Sequence, residues 1–260
     1  MSTFILVPGA WLGAWAWQPV ARSLRGAAHE VYPMSLTGLA DRVHLAGPEV
    51  NLETHIADIV NLIVYEDLRD VVLVGHSYAG IVVTGVSDRI PARIANVVYV
   101  DSGPAPDGAS MLDQQPPEVR EQTEAAVAKR GDGWRLPMPP WEQMQASLDG
   151  LDERKRARMR SHATDQPFGT YTQPLQLTNP DRAALKKTLI TCSFPLEQVR
   201  QMIAGGHPWF KDMAGPEWTF IELPTGHWPM ISEPRRLGAL LNQVAAMRAR
   251  ATATTRARQP

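Results

Sequence analysis

The chain has 260 residues and a mass of 28.7 kDa, enough for one large domain or two small ones. Hydrophobic residues at 44%, charged residues at 20% and aromatic residues at 7% are ordinary globular proportions, which exclude a disordered, collagen-like or coiled-coil protein. Lys and Arg number 26 against 27 Asp and Glu, and the net charge of −1 provides no general attraction for nucleic acid or anionic membranes.

The first strand is expected at Phe4–Val7, a short apolar run closed by Pro8-Gly9. The wider apolar stretch to Trp17 does not read as a signal peptide, since no Lys or Arg precedes it and Pro8, Gly9 and Gly13 interrupt it. Helical spacing follows from Trp15 to Leu24, then a strand at Glu30–Pro33, an amphipathic helix at Leu52–Glu66, a strand at Val71–Val74, a helix at Ala79–Arg89 and a buried strand from Ile94 to Val100 that ends at Asp101. Apolar strands separated by helices imply a parallel sheet covered on both faces. From Pro104 to about Lys186 the pattern changes to Pro, Gln, Met and charge, with helices expected near Pro117–Arg130, Trp141–Leu148 and Asp152–Ala163 and no strand between them. An insertion of this kind at the carboxyl edge of a parallel sheet is a candidate cap over a site. The alternation resumes with Thr188–Cys192, a helix at Glu197–Ile203, a strand at Trp218–Leu223 and a closing helix at Leu237–Arg248. The expected division is therefore a core of residues 1–103 and 186–250, a cap of 104–185, and an unpatterned basic tail at 251–260.

The strongest local signal is Val71-Val72-Leu73-Val74-Gly75-His76-Ser77-Tyr78-Ala79-Gly80. A strand turning sharply into a helix at a serine flanked by small residues is a nucleophile elbow, and Ser77 is the candidate nucleophile. A Gly-Ser turn that merely caps a helix is the competing reading. A serine hydroxyl needs a base within hydrogen-bond reach. Of the seven histidines, His227 has the fitting context: it follows the last expected strand in Thr225-Gly226-His227-Trp228, downstream of the nucleophile as in α/β serine hydrolases. His76 is expected to face away from the hydroxyl as a structural residue. Solvated or capping roles are expected for His29, His44, His55, His162 and His207. The amides of Ala10, in the first strand-to-helix loop, and of Tyr78, after the nucleophile, occupy the places from which an oxyanion hole is built. No two-histidine-plus-carboxylate spacing of the zinc type occurs, and no metal or cofactor is expected.

Val7-Pro8-Gly9-Ala10-Trp11-Leu12-Gly13-Ala14-Trp15, the elbow, Val98-Tyr99-Val100-Asp101, Pro167-Phe168-Gly169-Thr170-Tyr171 and Thr225-Gly226-His227 together resemble the α/β-hydrolase superfamily. Within it the sequence is similar to the branch of plant methyl-ester hydrolases, hydroxynitrile lyases and small bacterial esterases, including a carbamate-cleaving carbendazim hydrolase, over residues 3–245. The resemblance implies an α/β-hydrolase fold, a mostly parallel sheet flanked by helices with a helical cap inserted after the strand ending at Asp101. The sequence departs from the branch at Pro8, where a histidine is usual, and in the elbow, where Ala79 and then Gly80 stand at the usual glycine. Relatives often carry the acid of the triad after the penultimate strand, but Thr191-Cys192-Ser193-Phe194-Pro195-Leu196-Glu197 has no Asp. Other members draw the acid from the strand after the nucleophile, which implies Asp101; Glu197 is the runner-up, and a Ser–His dyad is a third alternative.

Together with these residues the resemblance implies a cofactor-independent serine esterase, expected to act on a small, largely apolar molecule, with lactones or carbamates within reach. Trp11, Trp134, Trp141, Met144, Phe168 and Trp228 are the candidate substrate-binding side chains, with Met111, Met138 and Tyr171 beside them, or else these form the cap's own core. Two alternatives are a lyase or cyclase on the same fold and a ligand receptor that has kept the pocket. The lyases typically place a lysine near the histidine; here none is adjacent, and the remote Lys211 has no predictable position. No stretch of about 18 apolar residues suggests a membrane span. The lone cysteine, Cys192, excludes intramolecular disulfides. A cytoplasmic protein with a small-molecule substrate, without nucleic-acid or membrane partners, is expected, and a homodimer is left open.

Overall fold

The computed structural model describes residues 1–207, 210 and 213–256. The strands in chain order are β1 (Thr3–Val7), β2 (Glu30–Pro33), β3 (Val71–His76), β4 (Ile94–Val100), β5 (Arg135–Leu136), β6 (Gln166–Pro167), β7 (Lys186–Thr191) and β8 (Trp218–Glu222). The helices are α1 (Ala14–Gly26), α2 (Leu52–Tyr65), α3 (Ala79–Arg89), α4 (Pro117–Arg130), α5 (Glu153–His162), α6 (Gly169–Thr172), α7 (Leu196–Ala204), α8 (Pro229–Ser232) and α9 (Pro234–Arg256). Six strands form one parallel sheet in the order β2-β1-β3-β4-β7-β8. The chain leaves β1 toward β2 and returns on its other side as β3, so the carboxyl ends of β1 and β3 flank a switch point, where open α/β sheets bind ligands.

Strand periodicity sorts the core into two layers. Ile5, Val7, Leu73, Val97 and Tyr99 face one side with Ile56 and Ile59 of α2 and Val82 and Val86 of α3. Phe4, Leu6, Val72, Val74, Val98 and Val100 face the other with Trp17, Val20 and Leu24 of α1 and Leu237 and Leu241 of α9. Both faces are covered, which is why these strands read as continuous apolar runs. At Gly75 a Cβ would lie 2.7 Å from the Ala79 carbonyl oxygen and 2.8 Å from Val83. Gly75→Ala should therefore cost about 1–3 kcal/mol through overpacking, read as a lower midpoint in urea unfolding.

The segment between β4 and β7 differs from expectation in two places. Trp141–Leu148 is not a helix; only Trp141–Gln143 makes a single 3₁₀ turn. The residues after it dock instead, because Ser147 and Asp149 offer their carbonyls to the His227 and Gly226 amides at 3.0 and 3.1 Å. A strand pair is also present, with β5 and β6 antiparallel in the register Leu136↔Gln166. Of the expected tail, 251–256 continues α9 and 257–260 lie outside the described residues. No helix among the described residues is long and apolar enough to cross a membrane.

Candidate active site

Three tight turns at the carboxyl ends of neighbouring strands meet at the site. Trp11 after β1, Ser77 after β3 and Asp101 after β4 have φ values of 65°, 51° and 45°. The left-handed region is unfavourable for such residues and persists only where surrounding structure enforces it, a pattern concentrated at functional sites. At Ser77 the enforcement is visible: its amide reaches the Val100 carbonyl at 3.3 Å, and its own carbonyl accepts from the Gly80 amide at 2.9 Å and from the Ser102 hydroxyl at 2.6 Å. A Cβ at Gly80 would overlap Ser102 and the Gly103 carbonyl, so the small residue one place beyond the usual position serves the close approach.

Ser77 Oγ lies 2.8 Å from His227 Nε2, and His227 Nδ1 lies 2.6 Å from Asp101 Oδ2. A carboxylate can only accept, so Nδ1–H donates to Asp101 and Nε2 is left to accept from the serine hydroxyl. Asp101 is 4% exposed. Its Oδ1 also accepts from the Cys192 and Ser193 amides at 2.8 and 2.9 Å, and its Oδ2 from the Ser193 hydroxyl at 2.5 Å. Burial pushes the carboxyl pKa up, but the hydrogen bond and charge of His227 together with the Ser193 donors outweigh it and hold the group below the usual carboxylate range. The segment after β7, where an acid was lacking in the sequence, thus supplies donors to an acid carried by β4. Ser193 is a site residue that the sequence reading missed; the absence of Asp from 191–197 was its only signal. Glu197 is exposed in the first turn of α7 and makes no bond to His227.

The histidine loop is held from two sides. His76, fully buried, donates Nε2–H to the His227 carbonyl at 2.6 Å, its ring centroid 4.8 Å from that of His227. Burial, then the neighbouring His227, lowers the His76 pKa to about 3, so His76 stays neutral beside the His227 ring. On the other side Gly226 permits backbone contact with 147–149, since a Cβ there would overlap the Asp149 carbonyl. The loop after β1 is tied down likewise: Gln166 Oε1 accepts from the Trp11 amide at 3.1 Å and the Leu136 carbonyl from the Trp11 indole at 2.9 Å.

A cavity of about 280 Å³ opens on Ser77 and His227 and is walled by Gly9, Ala10, Trp11, Met144, Tyr171 and Trp228. Its roof brings Gln115, Gln122, Gln143, Gln145 and Arg130, so the lining is amphipathic where an apolar one was expected. A second cavity of about 350 Å³ reaches the same serine and histidine from the side of Pro104, Met111, Phe194 and Phe210. Of the expected pocket residues, Trp11, Met144 and Trp228 line the first cavity, while Trp134, Trp141 and Phe168 do not. Trp141 packs edge-on against Trp228 and carries the Arg160 guanidinium 4.8 Å above its ring; Trp134 lies under Arg135, and Phe168 packs on the core. Met138 is buried in the core as well. The expectation of a solvated or capping role fails at His55, which is fully buried.

The family model described as alpha/beta hydrolase family matches residues 4–240. The chain belongs to the alpha/beta hydrolase family. This hydrolase is 34% identical to a carbendazim hydrolyzing esterase from Nocardioides sp. (strain SG-4G), over 93% of its own length and 98% of that protein's. Methylesterase 7 of Arabidopsis thaliana is 23% identical over 93% of the hydrolase and 95% of the relative. Among solved structures, an extracellular alpha/beta-hydrolase from a Paenibacillus species superposes with a TM-score of 0.78 at 25% identity, covering 94% of the hydrolase and 98% of that chain. Tomato methylketone synthase I superposes with a TM-score of 0.75 at 15% identity, covering 95% and 98%, and shares the fold.

Proposed function

We propose that this carboxylic ester hydrolase works through an acyl-enzyme on Ser77. The observation that carries the reading is the hydrogen-bonded chain from Ser77 through His227 to Asp101 at the floor of a cavity. Ser77 Oγ attacks the carbonyl carbon while its proton passes to His227 Nε2, and the buried Asp101 carboxylate stabilises the imidazolium through Nδ1. The amides of Ala10 and Tyr78 hold the oxyanion of the tetrahedral intermediate. On collapse the C–O bond breaks, His227 returns the proton to the departing alcohol, and water, deprotonated by the same histidine, clears the acyl group.

Residues 104–185 act as a cap that supplies most of the cavity wall. Aromatic and methionine surfaces beside glutamine amides suit a small molecule with an apolar body and hydrogen-bonding groups. The carbonyl belongs to an ester, and the likeness to a carbendazim hydrolyzing esterase extends the range to carbamates. None of the described residues lining either cavity is a lysine, and Lys211, the candidate for lyase chemistry, lies outside the described residues. The protein works in the cytoplasm, where its free thiol stays reduced.

An alkyl phosphonate should add one adduct mass at Ser77, mapped by peptide mass spectrometry; absence of the adduct beside a labelled control esterase would overturn the mechanism. Thiol reagents give the complementary test. Cys192 is buried, and burial followed by the nearby Asp101 charge raises its pKa, so iodoacetamide should leave native activity unchanged.

A further inference from the structure

The oxyanion role assigned to Tyr78 needs only its backbone amide, yet its side chain carries a buried polar anchor. Tyr78 is fully buried, and its hydroxyl lies 2.8 Å from His55 Nδ1. His55 Nε2 lies 2.8 Å from the Thr37 carbonyl. Since a carbonyl can only accept, Nε2 carries the proton, and Nδ1 accepts from the tyrosine hydroxyl. The chain continues outward: Thr37 donates its amide and hydroxyl to Asp58 at 2.7 and 2.8 Å, and Arg42 pairs with Asp58 at 3.0 Å. On its other side the Tyr78 ring stacks on Tyr171, a wall of the reaction cavity, at 5.6 Å and an interplanar angle of 5°. Burial lowers the His55 pKa to about 4 and raises that of Tyr78, so both groups stay neutral at ordinary pH.

An apolar side chain would fill the same space without the desolvation that a buried hydroxyl and imidazole require. What the polar tie adds is direction. A hydrogen bond to a histidine fixed on α2, opposed by a ring stack, leaves the Tyr78 side chain one orientation, and the preceding peptide must comply. That peptide joins Tyr78 to Ser77 at its left-handed φ of 51°, and its N–H is the donor that the acyl-enzyme reading places on the oxyanion. We propose that His55 is a positioning residue for catalysis: through the Tyr78 hydroxyl it holds the Tyr78 main-chain N–H on the developing oxyanion. This rests on the acyl-enzyme reading above.

The test compares Tyr78→Phe, His55→Leu, their double variant and His55→Asn, whose side-chain oxygen can replace Nδ1 as acceptor. Tyr78→Phe and His55→Leu should each lower kcat about 10-fold with KM within about 2-fold, since a misaimed donor loses part of the 10²–10³ that removing one costs. The double variant should be no worse than Tyr78→Phe alone, because both single variants break the His55–Tyr78 hydrogen bond and Tyr78→Phe also loses the contact with the Thr170 hydroxyl. His55→Asn should recover most of kcat. Affinity for a boronic acid, which forms a tetrahedral adduct on the serine, should fall in step with kcat, while affinity for the product carboxylate stays level. Wild-type kcat and boronate affinity in Tyr78→Phe would overturn the proposal, as would equal weakening of boronate and product. If Tyr78→Phe or His55→Leu does not fold, the same comparison is read from His55→Asn, where loss of boronate affinity greater than 5-fold overturns it. Ser77→Ala is measured alongside: activity surviving there sinks the acyl-enzyme reading, whereas loss there with full kcat in Tyr78→Phe sinks only the role of His55.

Discussion

Ser77→Ala should lower kcat/KM for short p-nitrophenyl esters by at least about 10⁴-fold, leaving only the catalysis that binding and oxyanion donors provide without a nucleophile. The loss should fall on kcat, because the cavity walls that bind the ground state are untouched. The same position separates chemistry from strain. Alanine keeps a Cβ at φ 51°, so Ser77→Ala should unfold at nearly the wild-type temperature. Ser77→Gly relieves the left-handed conformation and should be more stable by about 1 kcal/mol while equally inactive. Retention of more than a hundredth of the activity in both variants would show that the nucleophile lies elsewhere.

Asp101→Asn should lower kcat by about 10³–10⁴-fold. An amide can present its N–H₂ to His227 Nδ1, favouring the tautomer whose Nε2 carries the proton and cannot accept from Ser77. Stability should fall as well, by about 2–3 kcal/mol, because the carboxylate accepts from Cys192, Ser193 and His227 in a site where an amide meets donors with a donor. The pH dependence follows from the direction of the shift. The folded carboxyl pKa is depressed, so the unfolded chain binds the proton more readily. Its stabilisation is fully present above the ordinary carboxylate range and is lost as pH falls through the depressed value. Wild-type melting temperature should therefore decline below about pH 4, with a shallower decline in Asp101→Asn. Glu197→Gln serves as the control and should keep full activity; the reverse ranking would move the acid to Glu197.

The strands and the elbow were legible in the sequence because their causes are local. Apolar runs such as Val71–Val74 and Ile94–Val100 follow from burial on both faces, and Gly75 marks the close approach of α3 to its strand while Gly80 lets α3 pass the loop after β4. The placement of His227 next to Ser77 agrees with its position after the last strand. The segment between β4 and β7 was harder to read. The stretch after Trp141 has helical composition but gives its carbonyls to the His227 loop, and Trp141 and Phe168 proved to be packing residues where a pocket role was equally consistent with their type. His55 gives no local sign of its partner, Tyr78, which lies in another element.

By itself, then, the sequence determined the alternation of buried strands and helices, the strained turn at Ser77 and the order of serine before histidine, since each depends on sterics or hydrophobic pattern within a few residues. The tertiary structure decided which carboxylate meets His227. Parallel pairing of β4 with β7 ties the Asp101 amide to the Ile190 carbonyl and brings the Cys192 and Ser193 amides onto its side chain, an encounter across 91 residues of chain. It also decided how the cavity is lined, because α4 and the 136–146 loop meet the sheet edge only through docking. No local propensity encodes such contacts; they follow from strand register and from the burial gained when distant surfaces close over one another.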